Sequence, residues 1–189
     1  MMSLIFLLSQ AQAGGLGITT QNGLYQNKAY YYRSDGKQGF DSQMSYSTGL
    51  GIDVLLGNRS DKLQGLLRLG WSRDFPASNP EFTEEEGYEY TYPEYDSLSP
   101  TDVGVTSIGL QWTLLGDPTG VQAMATTSLS SAFWTPQSTE YFLIDVGLGG
   151  SYTVQDRFQT YATINFAPRY RKSLSMGINT YVGARVLFD

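Results

Sequence analysis

The groups able to do chemistry in this chain are few, because its 189 residues include no His and no Cys. Without His, no side chain has an ordinary pKa near neutrality, and the commonest metal ligand is missing. Without Cys, thiolate nucleophiles, thiolate zinc sites and disulfides are excluded. The chain has no Gly-x-Ser-x-Gly elbow and no phosphate-cradling glycine loop. Spacing therefore assembles no catalytic residues and no metal ligands; no cofactor is expected, and an enzyme is not. Two sets of charges remain. One is Asp53, Arg68, Asp145 and Arg185, spread along the chain. The other is a crowded segment from Asp74 to Asp102, where Glu84, Glu85 and Glu86 neighbour Tyr88, Tyr90, Tyr92 and Tyr95. No Lys or Arg occurs from Asp74 through Asp156.

Three readings of the acidic segment follow from its composition. Tyrosines give contact area at low entropic cost, as on recognition surfaces. Clustered carboxylates can take a divalent cation, although the spacing matches no EF-hand loop. A run of like charge can also simply be solvated and repulsive. The chain's net charge of −6 argues against nucleic acid, whose binding depends on Lys and Arg neutralising phosphates.

The elements that must position these groups are strands. Met44, Tyr46, Thr48, Leu50, Ile52, Val54 and Leu56 alternate with Ser45, Ser47, Gly49, Gly51 and Asp53. Similar runs cover 63–73, 103–115, 121–134, 141–154, 158–167 and 174–188. An eighth strand is expected between Gly14 and Arg33, where alternation through Tyr25, Asn27, Ala29 and Tyr31 is poor. Tight links at 57–62, 116–120 and 155–157 alternate with longer ones, so antiparallel strands place all tight turns at one end. Residues 1–13 read as a secretory signal peptide: an apolar run from Leu4 to Leu8, then Ala11-Gln12-Ala13. The domain is then 14–189, with 74–102 as its long loop.

Charge decides which solvent the apolar face meets. The seven clear runs carry only Asp53, Arg68, Arg73, Asp145 and Arg185. A water-facing strand surface normally carries Lys and Glu. Here the non-apolar face is Gly, Ser, Thr, Gln and Asn, which suits a narrow filled lumen, while the aliphatic face suits lipid. Tyr46, Trp71, Phe133, Phe142 and Phe166 then fall near the outer rim. Trp112, Tyr152, Phe158 and Phe188 fall near the tight-turn rim, completing two aromatic girdles. The fold expected is all-β: an eight-stranded antiparallel up-and-down transmembrane β-barrel. Asp53, Arg68, Asp145 and Arg185 point into its lumen, with Asp53 and Arg68 at similar height and expected to pair. Tyr88 to Tyr92 alternates, so the wall is expected to extend there as a hairpin before Pro93.

This pattern resembles the small eight-stranded bacterial outer-membrane barrels of the OmpA transmembrane-domain, OmpX and OmpW kind. Such barrels end in an aromatic residue preceded by alternating apolar ones. Val182, Ala184, Val186 and Phe188 match that, although Asp189 follows. The resemblance implies a Gram-negative outer membrane reached through the periplasm, with the longer loops outside. It implies outer-membrane lipids, including lipopolysaccharide, as surroundings, and admits a protein partner at the outer loops. The expected role is structural or interactive in the cell envelope: integrity, adhesion, or the membrane part of a larger assembly, carried by a monomeric barrel. The alternatives are a small porin-like pore or transporter for a compact or apolar solute, and a soluble exported barrel that binds a ligand internally.

Overall fold

The computed structural model describes residues 13–58, 60–76, 85–91, 101–134, 141–170 and 174–188. The described residues form ten strands and no helix: β1 (Ala13–Arg33), β2 (Gln38–Leu56), β3 (Leu63–Pro76), β4 (Tyr90–Thr91), β5 (Thr101–Gly116), β6 (Val121–Trp134), β7 (Phe142–Val154), β8 (Phe158–Phe166), β9 (Arg169–Tyr170) and β10 (Leu174–Leu187). Eight of them, all but the two-residue β4 and β9, pair antiparallel in chain order around a closed wall. Closure is the pairing of β1 with β10, from Gly15 opposite Leu187 to Gln26 opposite Met176. It leaves neither strand with an open edge over that span, as hydrocarbon requires of any spanning sheet. β9 continues the line of β8 past Pro168 and pairs with both β10 and β7.

The strands are staggered. One row of directly opposed residues starts at Asp102, near the long-loop rim, and passes through Arg73, Thr48, Asn22 and Thr180. It continues through Ile164, Leu148 and Ala125 to Trp112, near the tight-turn rim. A ladder row that descends the wall as it circles is what tilted strands in a barrel produce. Thr180 is the midpoint of that descent.

The faces are inverted relative to a soluble protein. Ile108, Leu148 and Ile164 stand outward with 60% or more of their surface exposed, at 64%, 60% and 60%. Asp53, Asp145 and Asn179 are fully enclosed. Water would not tolerate so continuous an apolar exterior, whereas a bilayer selects it. Tyr46, Trp71, Phe142 and Phe166 stand exposed toward the long-loop end, and Trp112, Tyr152, Phe158 and Phe188 toward the other. The side chain of Phe133 lies outside the described residues, as do residues 1–12 of the expected signal peptide. The chain is a transmembrane barrel by this distribution.

β1 and β2 run beyond the rest of the wall, with Tyr32 opposite Gln38 at their tip. The extension expected from Tyr88 to Tyr92 is built differently. Tyr90 and Thr91 form β4, which pairs with Arg33 and Tyr32 of β1 rather than folding back on its own loop. The taller β1 offers a ready-made edge, and an isolated short hairpin has no such support.

At the tight-turn end the β7–β8 link closes with Arg157 N donating to Val154 O at 3.2 Å. Its central residues Gln155 and Asp156 both have left-handed backbones, with φ of 49° and 57°. That geometry suits strand twist but favours Asn-Gly over residues with longer side chains. Replacing Gln155-Asp156 with Asn-Gly should raise unfolding free energy by about 1 kcal/mol, read from urea titrations in lipid vesicles. An unchanged midpoint would show that the link carries no such strain.

Candidate functional site

The lumen holds the four charges picked out above, each with less than a tenth of its surface accessible. Register places Asp53 directly opposite Arg68, as their spacing implied. The expected ion pair nonetheless forms with a different arginine. Arg185 Nε and Nη2 both lie 2.6 Å from Asp53 Oδ2. The same oxygen accepts a hydrogen bond from Tyr161 Oη at 2.7 Å.

The reason is the residue between them. Arg185 and Asp53 are both register partners of Gly17, on opposite sides of it. A Cβ at position 17 would stand 2.5 Å from Arg185 Cγ. The empty place at Gly17 is the gap through which Arg185 crosses one whole strand to Asp53. Arg185 Nη1 also donates to Gln111 at 2.9 Å and Gln159 at 3.3 Å, and the guanidinium carbon lies 3.9 Å over the Tyr161 ring.

Arg68, displaced from Asp53, lies 4.0 Å over the Tyr181 ring and makes no hydrogen bond. Tyr181 in turn donates from Oη to Asp145 at 2.8 Å. Asp145 also accepts from Asn179 Nδ2 at 3.0 Å, and Asn179 accepts from Tyr25 Oη at 2.5 Å. A cavity of about 20 Å³ beside Arg68, lined in part by Gln21, Ser107 and Tyr181, has room for a water. Leu55, Leu66, Met124 and Leu187 are buried toward the tight-turn end.

A second layer lies toward the long-loop mouth. Arg169 Nη1 is 2.7 Å from Asp74 and Nη2 is 3.4 Å from Ser45. Its guanidinium carbon lies 4.0 Å from the centre of the Tyr25 ring and 5.1 Å from that of Tyr141. Sequence reading missed this cluster. The signal lies in the alternation itself, since Tyr161, Thr163, Asn165, Ala167 and Arg169 share one parity, but the 158–167 run stops short of Arg169.

Outside the wall, part of the acidic segment is fastened down. Arg33 donates to Asp35 through Nε at 2.8 Å and Nη2 at 2.6 Å, and to Glu85 through Nη1 at 2.6 Å. Its guanidinium also lies 4.0 Å over the Tyr88 ring. The Tyr90 ring packs 5.6 Å from Tyr31, and its Oη accepts a hydrogen bond from Glu85 N at 3.0 Å. The hydrogen bond from Arg33 holds the Asp35 carboxyl down at about 2. Its stabilising contribution is therefore complete above the ordinary aspartate pKa near ~4 and is lost only as pH falls through the lowered value. Glu85, Glu86 and Tyr88 all keep exposed surface, but Glu85, Tyr88 and Tyr90 are engaged by contacts within the protein. Glu84, Tyr92 and Tyr95 lie outside the described residues. Among the described residues no three carboxylates converge on a cation site.

These contacts make a graded stability prediction for the lumen. Arg185→Met should cost about 3–5 kcal/mol by stranding a buried Asp53, and adding Asp53→Leu should recover most of it. Arg68→Met should cost only about 1–2 kcal/mol, because it loses ring stacking rather than an ion pair. Urea unfolding in vesicles ranks the three; equal losses at Arg68 and Arg185 would contradict the pairing.

No family model matches the chain, and no curated protein matches it. Among solved structures, the chain is similar to Neisserial surface protein A, with 16% identity over 90% of this chain and 97% of that one. The TM-score is 0.38, so the barrel architecture rests on the strand registers and the inverted faces alone.

Proposed function

We propose that this protein is an integral outer-membrane barrel, exported behind the leader at residues 1–13, whose role is structural or interactive rather than catalytic or conductive. The observation that carries this reading is the bonded filling of the lumen. Arg185 and Asp53 are tied at one level, and Arg169 and Asp74 at another, with Tyr25, Tyr161 and Tyr181 between them. Eight strands leave little more than side-chain room inside, and these residues occupy it. Function then falls to the surfaces. Lipopolysaccharide and other outer-membrane lipids surround the wall, and the β1–β2 extension with its docked acidic segment is presented to a protein partner. Such a barrel serves envelope integrity, adhesion or anchoring of a larger assembly.

The test is conductance. Purified barrel in planar bilayers should show no discrete openings, and Arg169→Ala with Arg185→Ala should be needed to admit ions. Steady unitary steps from the unaltered protein would favour the pore reading instead.

A further inference from the structure

The outward wall is not uniformly apolar. Midway down it, on β10, β1 and β2, lies a polar patch. Asn22 is opposite Thr180 on one side and Thr48 on the other. Thr20 lies just below Asn22 on β1. Aliphatic side chains bracket the patch along the strands, with Leu24 and Ile178 above and Ile18, Leu50 and Val182 below, each about half exposed or more. Its β1 and β10 members therefore lie in the hydrocarbon band, while beyond Thr48 the same row reaches the outward-facing Arg73 of β3, closed on Asp102 at 2.6 Å.

Its hydrogen bonds are incompletely satisfied in a specific way. Tyr46 Oη and Thr48 Oγ1 both donate to Asn22 Oδ1, at 2.7 and 3.0 Å. Thr20 donates to Val182 O at 3.1 Å and Thr180 to Asn22 O at 3.3 Å. Every hydroxyl proton of the patch is thus spent within the wall, which leaves the hydroxyl oxygens free to act only as acceptors. Among the described residues the Asn22 amide Nδ2 has no hydrogen-bond partner. Lipid tails can supply none, and an amide left bare in hydrocarbon is costly.

We propose that this face is where two copies of the chain associate, in place of the monomer expected from the sequence. The choice of a second copy follows from the chemistry. The patch offers amide donors and hydroxyl acceptors together, so a two-fold axis beside Asn22 lets each copy's Nδ2 meet the other's Thr20 or Thr180 oxygen. Self-complementarity of this kind is what an isologous contact demands. In a membrane, where apolar burial between proteins contributes little, polar contacts and close packing provide the association. Just below the patch two shallow apolar depressions meet at Ile18 and Ile52, giving relief into which the other copy's side chains fit.

The absence of Cys makes the test direct. Single-cysteine variants Thr20→Cys and Thr180→Cys, and Thr127→Cys on β6 at the opposite wall, are reconstituted in vesicles and treated with a short bismaleimide. Dimer-sized product should form from the first two and not from Thr127→Cys. Adding Asn22→Leu, an apolar side chain of similar size, should weaken dimerisation about tenfold, the scale of one or two membrane polar contacts. Folding of each variant is checked by heat-modifiable mobility, and Thr180→Val serves as a second disruption should Asn22→Leu fold poorly. Equal product at all three positions, or no product at any, overturns the proposal. So does a product in native membranes joining this chain only to a protein of another size.

Discussion

Backbone hydrogen bonding in hydrocarbon is the constraint on which the rest depends. An unpaired peptide group there costs several kcal/mol, so the sheet must close. The twelve-residue ladder joining β1 to β10, from Gly15 to Gln26, performs the closure. Closure then dictates chemistry on both sides. The exterior must be aliphatic, as at Ile108 and Leu148. The interior, too narrow for bulk water, must bond its own polar groups. Arg185 reaching Asp53 past Gly17 and Tyr181 bridging Arg68 to Asp145 are two ways of meeting that demand.

The interior is organised by tyrosines as much as by ions. Tyr161 both supports Arg185 with its ring and donates to Asp53, so one side chain serves the cation and the anion of the same pair. Tyr181 does the same between Arg68 and Asp145, which do not touch. Tyr25 links the layer of Arg169 to Asn179 and so to Asp145. A phenol suits this work because its face attracts a guanidinium while its hydroxyl donates to a carboxylate. The result is a connected column in place of an open channel.

Much of this was legible before any coordinates. The alternation along the later runs places six strands to within three residues, because a barrel wall enforces period two at every position, whereas β2 starts at Gln38, six residues before the expected Met44. β1 resisted for a physical reason: Asn22 faces outward and Tyr25 inward, each against the simple polarity rule. The lumenal charges were identified as such, but their pairing was misassigned. Register alone suggested Asp53 with Arg68; the decisive feature was the missing side chain at Gly17, whose effect appears only once three strands lie side by side. Arg169 lies beyond the 158–167 run, because the ladder is interrupted at Pro168 and the strand line resumes only after it. The acidic segment looked like free loop, and no local pattern could show that Arg33 binds Glu85 some fifty residues away.

The central claim is the inversion of the faces, and site-directed spin labelling tests it most directly, since the chain has no Cys to interfere. Labels at Leu148 and Ile164 in vesicles should collide freely with dissolved oxygen and be shielded from a water-soluble nickel reagent, while labels at the inward positions Ser151 and Thr163 are shielded from both. Shielding of Leu148 and Ile164 from oxygen, with nickel access at Ser151 and Thr163, would mean an aliphatic core and a wet exterior, and would contradict the account.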